Sequence, residues 1–212
     1  VLGFGGRTPR LETLLDALEE AFATAAARAG VRVRRASLES ASGLGVYLDS
    51  FAAARAMLRK LRLFVGPTNS GKTHAAMDRL AEGRKGAYLA PLRLLALEGQ
   101  EAIEARGRPC SLITGEERDV RPGADFVSST IEMANTNRVM DVCVIDEIQM
   151  IGDYDRGWAW TAAVAGMAAS EIIMTGSADA IPYIQRLAAA TGEELEIVEF
   201  TRRMRADLIA GI

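Results

Sequence analysis

The residues with the clearest chemical signal are a lysine and a threonine behind a glycine-bracketed loop. In "FVGPTNSGKTHAAM" (residues 64 to 77), Gly66 and Gly71 enclose Pro67, Thr68, Asn69 and Ser70, and Lys72 and Thr73 follow directly. This is the G-x-x-x-x-G-K-[ST] phosphate loop. Glycine is needed where the backbone turns sharply and closely approaches a phosphate. The loop amides and the N-terminus of the next helix together make a positive cradle for an anion. Lys72 reaches the β- and γ-phosphates in such a loop, and the Thr73 hydroxyl ligates Mg²⁺. His74, the only histidine, carries no evident chemistry and is expected to be structural or partly exposed.

A second signal lies some seventy residues downstream, where the apolar run of "DVCVIDEIQM" ends in Asp146 and Glu147. Adjacent carboxylates beyond a buried strand are unfavourable without a cation or solvent to compensate them. Paired with a phosphate loop, Asp146 is expected to hold Mg²⁺ through its water shell. Glu147 is expected to orient and deprotonate an attacking water. Gln149 is suited to sensing the γ-phosphate or linking it to a neighbouring element. A water-activating glutamate beside the metal aspartate points to an ATP hydrolase more than to a small-substrate kinase.

These residues require a scaffold that brings strand ends together. From residue 61 the chain alternates short apolar runs with helical segments. The expected strands are "LRLFV", "GAYLA", "SLIT", "DFVSS", "DVCVI", "EIIMT" and "ELEIVEF", with helices starting near Gly71, Pro91, Gly157 and Ala178. That alternation predicts an α/β fold: a mainly parallel sheet flanked by helices on both faces. Residues 1–60 differ in character. Thr8, Pro9 and Gly30 punctuate a helical pattern carrying Leu11, Leu14, Leu15, Leu18 and Phe22 on one face. "VRVRRAS" alternates, and "DSFAAARAMLRKL" predicts a further amphipathic helix, so 1–60 is expected to be a small, mostly helical lead-in.

Composition sets bounds on partners. At 49% hydrophobic and 25% charged residues, the chain has an ordinary globular balance, and no apolar run is long enough for a membrane span. Cys110 and Cys143 lack metal-ligand spacing, and Cys143 in "VCVI" reads as a small buried hydrophobe, which fits a reducing compartment. The net charge of −3 argues against a strongly basic nucleic-acid footprint. Residues 1–60 hold nine Lys/Arg against six Asp/Glu, so the acidic balance lies in the α/β portion. Because the chain opens on Val1 rather than Met, it is expected to be part of a longer protein.

The stretches "VGPTNSGKT", "YLAPLRLLALE", "TGEER", "VSSTIEM", "VIDEIQMIGDYDRGWAWT" and "TGSADA" together resemble one family. It is the first RecA-like motor domain of the mitochondrial-degradosome type of superfamily-two (DExH/D-box) RNA helicases, which has bacterial relatives. The resemblance covers residues 61–200, and "GPTNSGKT", "DEIQM" and "RGWAWT" in that order are specific to the group. It implies a P-loop NTPase that uses ATP and Mg²⁺ in RNA degradation. Lys72 and Thr73 then belong to helicase motif I, and Asp146, Glu147 and Gln149 to motif II. Pro91 and Arg93 stand at motif Ia. Thr114, Gly115, Ser129 and Thr130 stand at further RNA-backbone motifs, and Thr175, Gly176 and Ser177 at the motif that couples ATP to RNA. Hydroxyls and free amides at strand ends suit phosphate contacts, which position the nucleic acid without reading its bases. Trp158 and Trp160 of "RGWAWT" face different directions on one helix, so packing is expected for at least one of them.

The resemblance also implies partners. A second motor domain would supply an arginine finger, a group worth about 10³- to 10⁵-fold in rate. Nothing after Phe200 carries that signature, and 201–212 is expected to begin a linker. By itself the chain is expected to bind RNA weakly and to turn ATP over very slowly. An exoribonuclease is a further candidate partner of the parent protein, and no membrane is involved. The Ala/Arg-rich composition points to a bacterial cytoplasm, with the mitochondrial matrix as alternative. Two other readings stay open at this point: a thymidine-kinase-like nucleoside kinase, and a non-catalytic nucleotide-binding scaffold.

Overall fold

The computed structural model describes residues 44–201. The chain separates into two units, 1–47 and 48–212, and the account below concerns the second. The patterns expected around Thr8–Gly30 and in "VRVRRAS" lie outside the described residues.

All seven expected strands form, and one more joins them. They are β1 (Lys60–Val65), β2 (Gly86–Ala90), β3 (Cys110–Ile113), β4 (Arg118–Asp119), β5 (Phe126–Thr130), β6 (Met140–Ile145), β7 (Ala169–Gly176) and β8 (Glu194–Glu199). The sheet order is β4-β3-β5-β2-β6-β7-β1-β8. Among the described residues only the β3–β4 pair is antiparallel. The strands buried on both faces are near-continuous apolar runs, as a parallel sheet covered by helices demands. β2 is buried along its whole length, and β6 at every position but Asp141.

The helices are α1 (Leu44–Asp49), α2 (Ala52–Arg55), α3 (Lys72–Glu82), α4 (Arg93–Glu104), α5 (Gly157–Gly166) and α6 (Ile181–Thr191). Strand side chains alternate between the faces, so two core layers form. Leu61, Leu63, Leu89, Cys143 and Ile145 pack with Trp160 and Val164 of α5 and Ile184 of α6. Phe64, Tyr88, Val142 and Val144 pack with Met77 and Leu80 of α3 and Ala96 and Ile103 of α4. Fully burying each large aliphatic or aromatic side chain contributes about 1.5–3 kcal/mol. Both cysteines are buried, and burial pushes the thiols of Cys110 and Cys143 up to about 12.

The helix expected over "DSFAAARAMLRKL" is a correction. Regular helix there is limited to the end of α1 and the four residues of α2. The reason is a tertiary interaction that no local pattern announces. Arg59, fully buried in its side chain, turns inward and clasps Glu193 with Nε–Oε1 at 2.5 Å and Nη2–Oε2 at 2.7 Å. Its Nη1 donates to the Met167 carbonyl at 2.8 Å. A bidentate, further hydrogen-bonded pair of this kind is what allows a guanidinium to be buried. Arg59 stands immediately before β1, which begins at Lys60.

Candidate functional site

In a parallel sheet every strand's carboxyl end lies along one edge, and ligands of open α/β sheets bind there. The loops after β1, β7 and β6 carry the nucleotide-type residues. Those after β2, β5 and β3 carry the residues that the resemblance gives to RNA. Because β6, β7 and β1 are neighbours, the phosphate loop and the acidic strand end stand one strand apart.

The phosphate loop joins β1 to α3 through two left-handed residues, Asn69 (φ 61°) and Gly71 (φ 88°). Asparagine and glycine are the residue types that accept this conformation at least cost. Gly66 is required by close approach, since a Cβ there would lie 2.5 Å from the Phe200 carbonyl oxygen. Among the described residues, Lys72 Nζ donates only to the Pro67 carbonyl, at 3.2 Å, within its own loop. Among the described residues, the buried Ser70 Oγ has no hydrogen-bond partner, a costly state for a hydroxyl. Such an unsatisfied group beside Lys72 and a helix N-terminus fits a loop that takes a polyphosphate. His74 is exposed and pairs with Asp78 at 3.0 Å along α3.

At the end of β6 the Asp146 carboxylate is buried and held by three donors. Tyr88 Oη donates to Oδ2 at 2.7 Å, while the Thr175 hydroxyl and the Glu147 amide (3.0 Å) donate to Oδ1. A carboxylate offers about four lone-pair positions, so one on Oδ2 is left for a metal ion's water or the ion itself. The Asp146 carbonyl accepts from Trp160 Nε1 at 3.0 Å. Glu147 takes a left-handed conformation (φ 50°), strained for a non-glycine residue and of the kind that gathers at functional sites. Gln149 then acts as a bridge. Its Nε2 donates to Glu147 Oε2, and its Oε1 accepts the Ser177 amide at 3.1 Å. Gly176 makes room for that bridge, since a Cβ there would collide with Gln149 Oε1. A cleft of about 470 Å³ opens between Gly66 and Pro67 on one side and Ser177 and Asp179 on the other.

The other half of the edge is already paired. Arg93, at the start of α4, forks to Glu116 (2.9 Å) and Glu117 (2.8 Å) in the loop after β3. Thr114 is buried, its Oγ1 accepting the Glu117 amide at 3.0 Å, which leaves Gly115 exposed at the tip. Ser129 is buried, Thr130 half-buried, and Pro91 buried. Thr175 and Gly176 are buried beneath the nucleotide half, and Ser177 is half-buried.

Sequence reasoning assigned no role to two residues that the structure places here. Arg156 donates to the Pro91 carbonyl at 2.6 Å and to Glu132 at 2.7 Å, and its guanidinium lies 5.4 Å over the Trp160 ring. Its signal was present in "RGWAWT". Tyr88 gave none, because a tyrosine in "GAYLA" is ordinary in a strand. Burial, with the Asp146 carboxylate adding to it, pushes the Tyr88 phenol far above its usual value, so it remains a donor at any working pH. The tryptophans divide as expected: Trp160 is fully buried and Trp158 is exposed.

Residues 48–200 match the family described as the DEXQ-box helicase domain of Suv3. The chain is 48% identical over 159 residues to the mitochondrial ATP-dependent RNA helicase SUV3 of Candida albicans, a match covering 72% of this chain. It is 44% identical over 169 residues to the human mitochondrial ATP-dependent RNA helicase SUPV3L1, covering 78% of this chain. In both cases the match spans 22% of the relative, so the chain corresponds to about a fifth of those proteins. Among solved structures, the Pyrococcus furiosus Hef helicase domain superposes with a TM-score of 0.47 at 21% identity, over 72% of this chain and 37% of that one. The phosphate loop, the Asp146-Glu147-Ile148-Gln149 strand end and this sequence identity lead to one assignment: the chain belongs to the Suv3 family of DEXQ-box helicase domains, with the RecA-like α/β fold.

Proposed function

We propose that this domain binds ATP–Mg²⁺ and acts as the first motor domain of an ATP-dependent RNA helicase. One observation carries the reading: the buried, three-donor carboxylate of Asp146 near a phosphate loop whose Ser70 hydroxyl has no partner among the described residues and whose Lys72 ammonium meets only a loop carbonyl there. The loop amides of Gly66–Gly71 and the start of α3 would hold the β- and γ-phosphates, with Lys72 as counter-charge. Thr73 and Asp146 would hold Mg²⁺, which neutralises charge developing on the transferred phosphoryl group. Glu147 orients and deprotonates water, and Gln149 ties that carboxylate to Ser177, so the coupling loop feels the state of the base.

The remaining roles are also proposals. Arg93, Pro91, Gly115 and Thr130 offer the accessible part of an RNA-backbone surface, with Thr114 and Ser129 shaping it from beneath. In this reading residues 61–200 form the ATP-binding domain, while the segments 1–43 and 202–212 lie outside the described residues. An exoribonuclease would act beside the full-length protein. The relatives named above are mitochondrial, which favours the matrix over a bacterial cytoplasm. Family membership supports neither a nucleoside kinase nor an inert scaffold.

The experiment is nucleotide titration, with and without Mg²⁺, of the native protein and Lys72→Ala. Native protein is expected to bind a fluorescent ATP analogue more tightly with Mg²⁺, and Lys72→Ala to lose that binding. Equal binding by the two proteins would remove the reading.

A further inference from the structure

Three groups hold the Asp146 carboxylate, and two come from elements that the nucleotide site already uses: Thr175 on β7 and the Glu147 amide. The third does not. Tyr88 lies on β2, across the boundary between the two halves of the carboxyl edge. Its ring belongs to the core layer packed under α3 and α4. It lies so close to α4 that a Cβ at Gly99 would collide with its Cδ1 and Cε1. The same imagined Cβ would meet Ser128 Oγ at 2.9 Å, and that hydroxyl donates to the Ala96 carbonyl on α4. The phenol is thus fixed in direction by a helix whose first residue is Arg93.

The division of donors matters for the metal. Among the described residues, Oδ1 takes two hydrogen bonds and is filled, whereas Oδ2 takes only that of Tyr88 and keeps a free lone pair. The oxygen left for the metal is therefore the one that Tyr88 orients. Partners of metal-binding carboxylates fix the ligand's plane and basicity, and losing one commonly weakens metal binding about 10- to 100-fold.

We propose that Tyr88 is a positioning residue for the Mg²⁺ carboxylate, aligning Asp146 Oδ2 through its hydroxyl while Gly99 of α4 fixes its ring. The inference rests on the nucleotide-site reading above and assigns that site a further residue. Tyr88→Phe keeps the ring and its packing and removes only the hydroxyl. Gly99→Ala keeps the hydroxyl and crowds the ring.

The test titrates Mg²⁺ against protein with a fluorescent ADP analogue, and separately counts bound Mn²⁺ by electron paramagnetic resonance. Tyr88→Phe is expected to bind the metal-free nucleotide within about twofold of native protein. Its half-saturating Mg²⁺ should rise about tenfold, with a parallel loss of Mn²⁺ affinity. Gly99→Ala is expected to shift the metal titration in the same direction, and it carries the test if Tyr88→Phe does not melt cooperatively. Metal half-saturation of a folded variant within about twofold of native overturns the inference. So does loss of metal-free nucleotide binding in Tyr88→Phe, because the hydroxyl would then support the loop rather than the carboxylate. If native protein shows no Mg²⁺-dependent binding at all, the nucleotide-site reading fails and takes this inference with it.

Discussion

The two halves of the carboxyl edge are built on opposite principles. On the β1–β7–β6 side the backbone is left-handed at Asn69, Gly71 and Glu147, Ser70 Oγ is unsatisfied, and Lys72 has only a loop carbonyl among the described residues. On the β2–β5–β3 side Arg93 is clasped by two carboxylates, Thr114 is locked in a turn, and Arg156 is tied to Pro91 and Glu132. The first half is preorganised and has unused capacity for an anion. The second is self-satisfied, and Arg93 would have to give up a carboxylate before it could hold a phosphate. Preorganised donors in a dry site have large effects, whereas exposed ion pairs have small ones. The acidic net charge is consistent with this difference, since part of it neutralises the surface that RNA would use.

The sharpest break in that comparison is Glu147→Gln. Removing a general base typically costs about 10²- to 10⁴-fold in rate. Hydrolysis by the RNA-bound, full-length protein is expected to fall by that order, while nucleotide binding stays near native. The amide introduced by the substitution can still meet Gln149, so the strained turn should persist. Phosphate release and analogue binding measured on one preparation separate the two effects. A rate within about threefold of native would mean that Glu147 is a structural cap, and the two halves would then differ less than their geometry suggests.

The second test concerns what lies under the nucleotide half. Trp160 is fully buried and supports the Asp146 carbonyl, whereas Trp158, two residues earlier on α5, is exposed. Trp160→Ala is expected to cost about 3–5 kcal/mol of stability through the cavity it leaves. Trp158→Ala should stay within about 0.5 kcal/mol. Chemical denaturation of both variants checks this, and equal losses would show that α5 is buried differently. If Trp158→Ala instead weakens RNA binding while stability holds, the exposed indole is a base-stacking group and belongs to the RNA half.

How much of this was legible in the sequence follows the same physical divide. The inner strands could be read because a sheet covered on both faces needs near-continuous apolar runs. The edge strand β8 could be read because Leu195 and Ile197 alternate with Glu194 and Glu196. β4 could not, because two exposed residues in an antiparallel edge carry no periodicity. The phosphate loop and the acidic strand end were legible because their chemistry demands fixed residue types at fixed spacing. Tyr88 was hidden, since its partner lies 58 positions away and its role depends on the order of strands. Residues 49–61 suggest a longer helix than they form, for a related reason. Their alanines and leucines imitate an amphipathic pattern, and only the Arg59–Glu193 pair reveals where the chain straightens. "TGEER" was legible as a loop, but the fork from Arg93 to Glu116 and Glu117 joins residues more than twenty apart.

That fork gives the smallest expected effect and the most direct test of the self-satisfied half. Arg93, Glu116 and Glu117 are all exposed, so water already screens their attraction. Replacing both carboxylates, in Glu116→Gln/Glu117→Gln, removes the charges competing with a phosphate for one guanidinium. RNA binding should tighten modestly, by about two- to fivefold, because an exposed ion pair is worth only about 0–1 kcal/mol. Freeing one phosphate contact on a single strand should also steepen the dependence of log affinity on log salt by about 0.7. Adding Arg93→Ala to the double variant should return the slope to near its native value. Fluorescence anisotropy with a single-stranded RNA at several salt concentrations reads both quantities. If the double variant tightens binding with no change in slope, the gain comes from the general loss of negative charge, and Arg93 is not the residue released. If neither quantity moves, the fork is a brace between α4 and the β3 loop, and the RNA half of the edge must be sought around Gly115 and Thr130 instead.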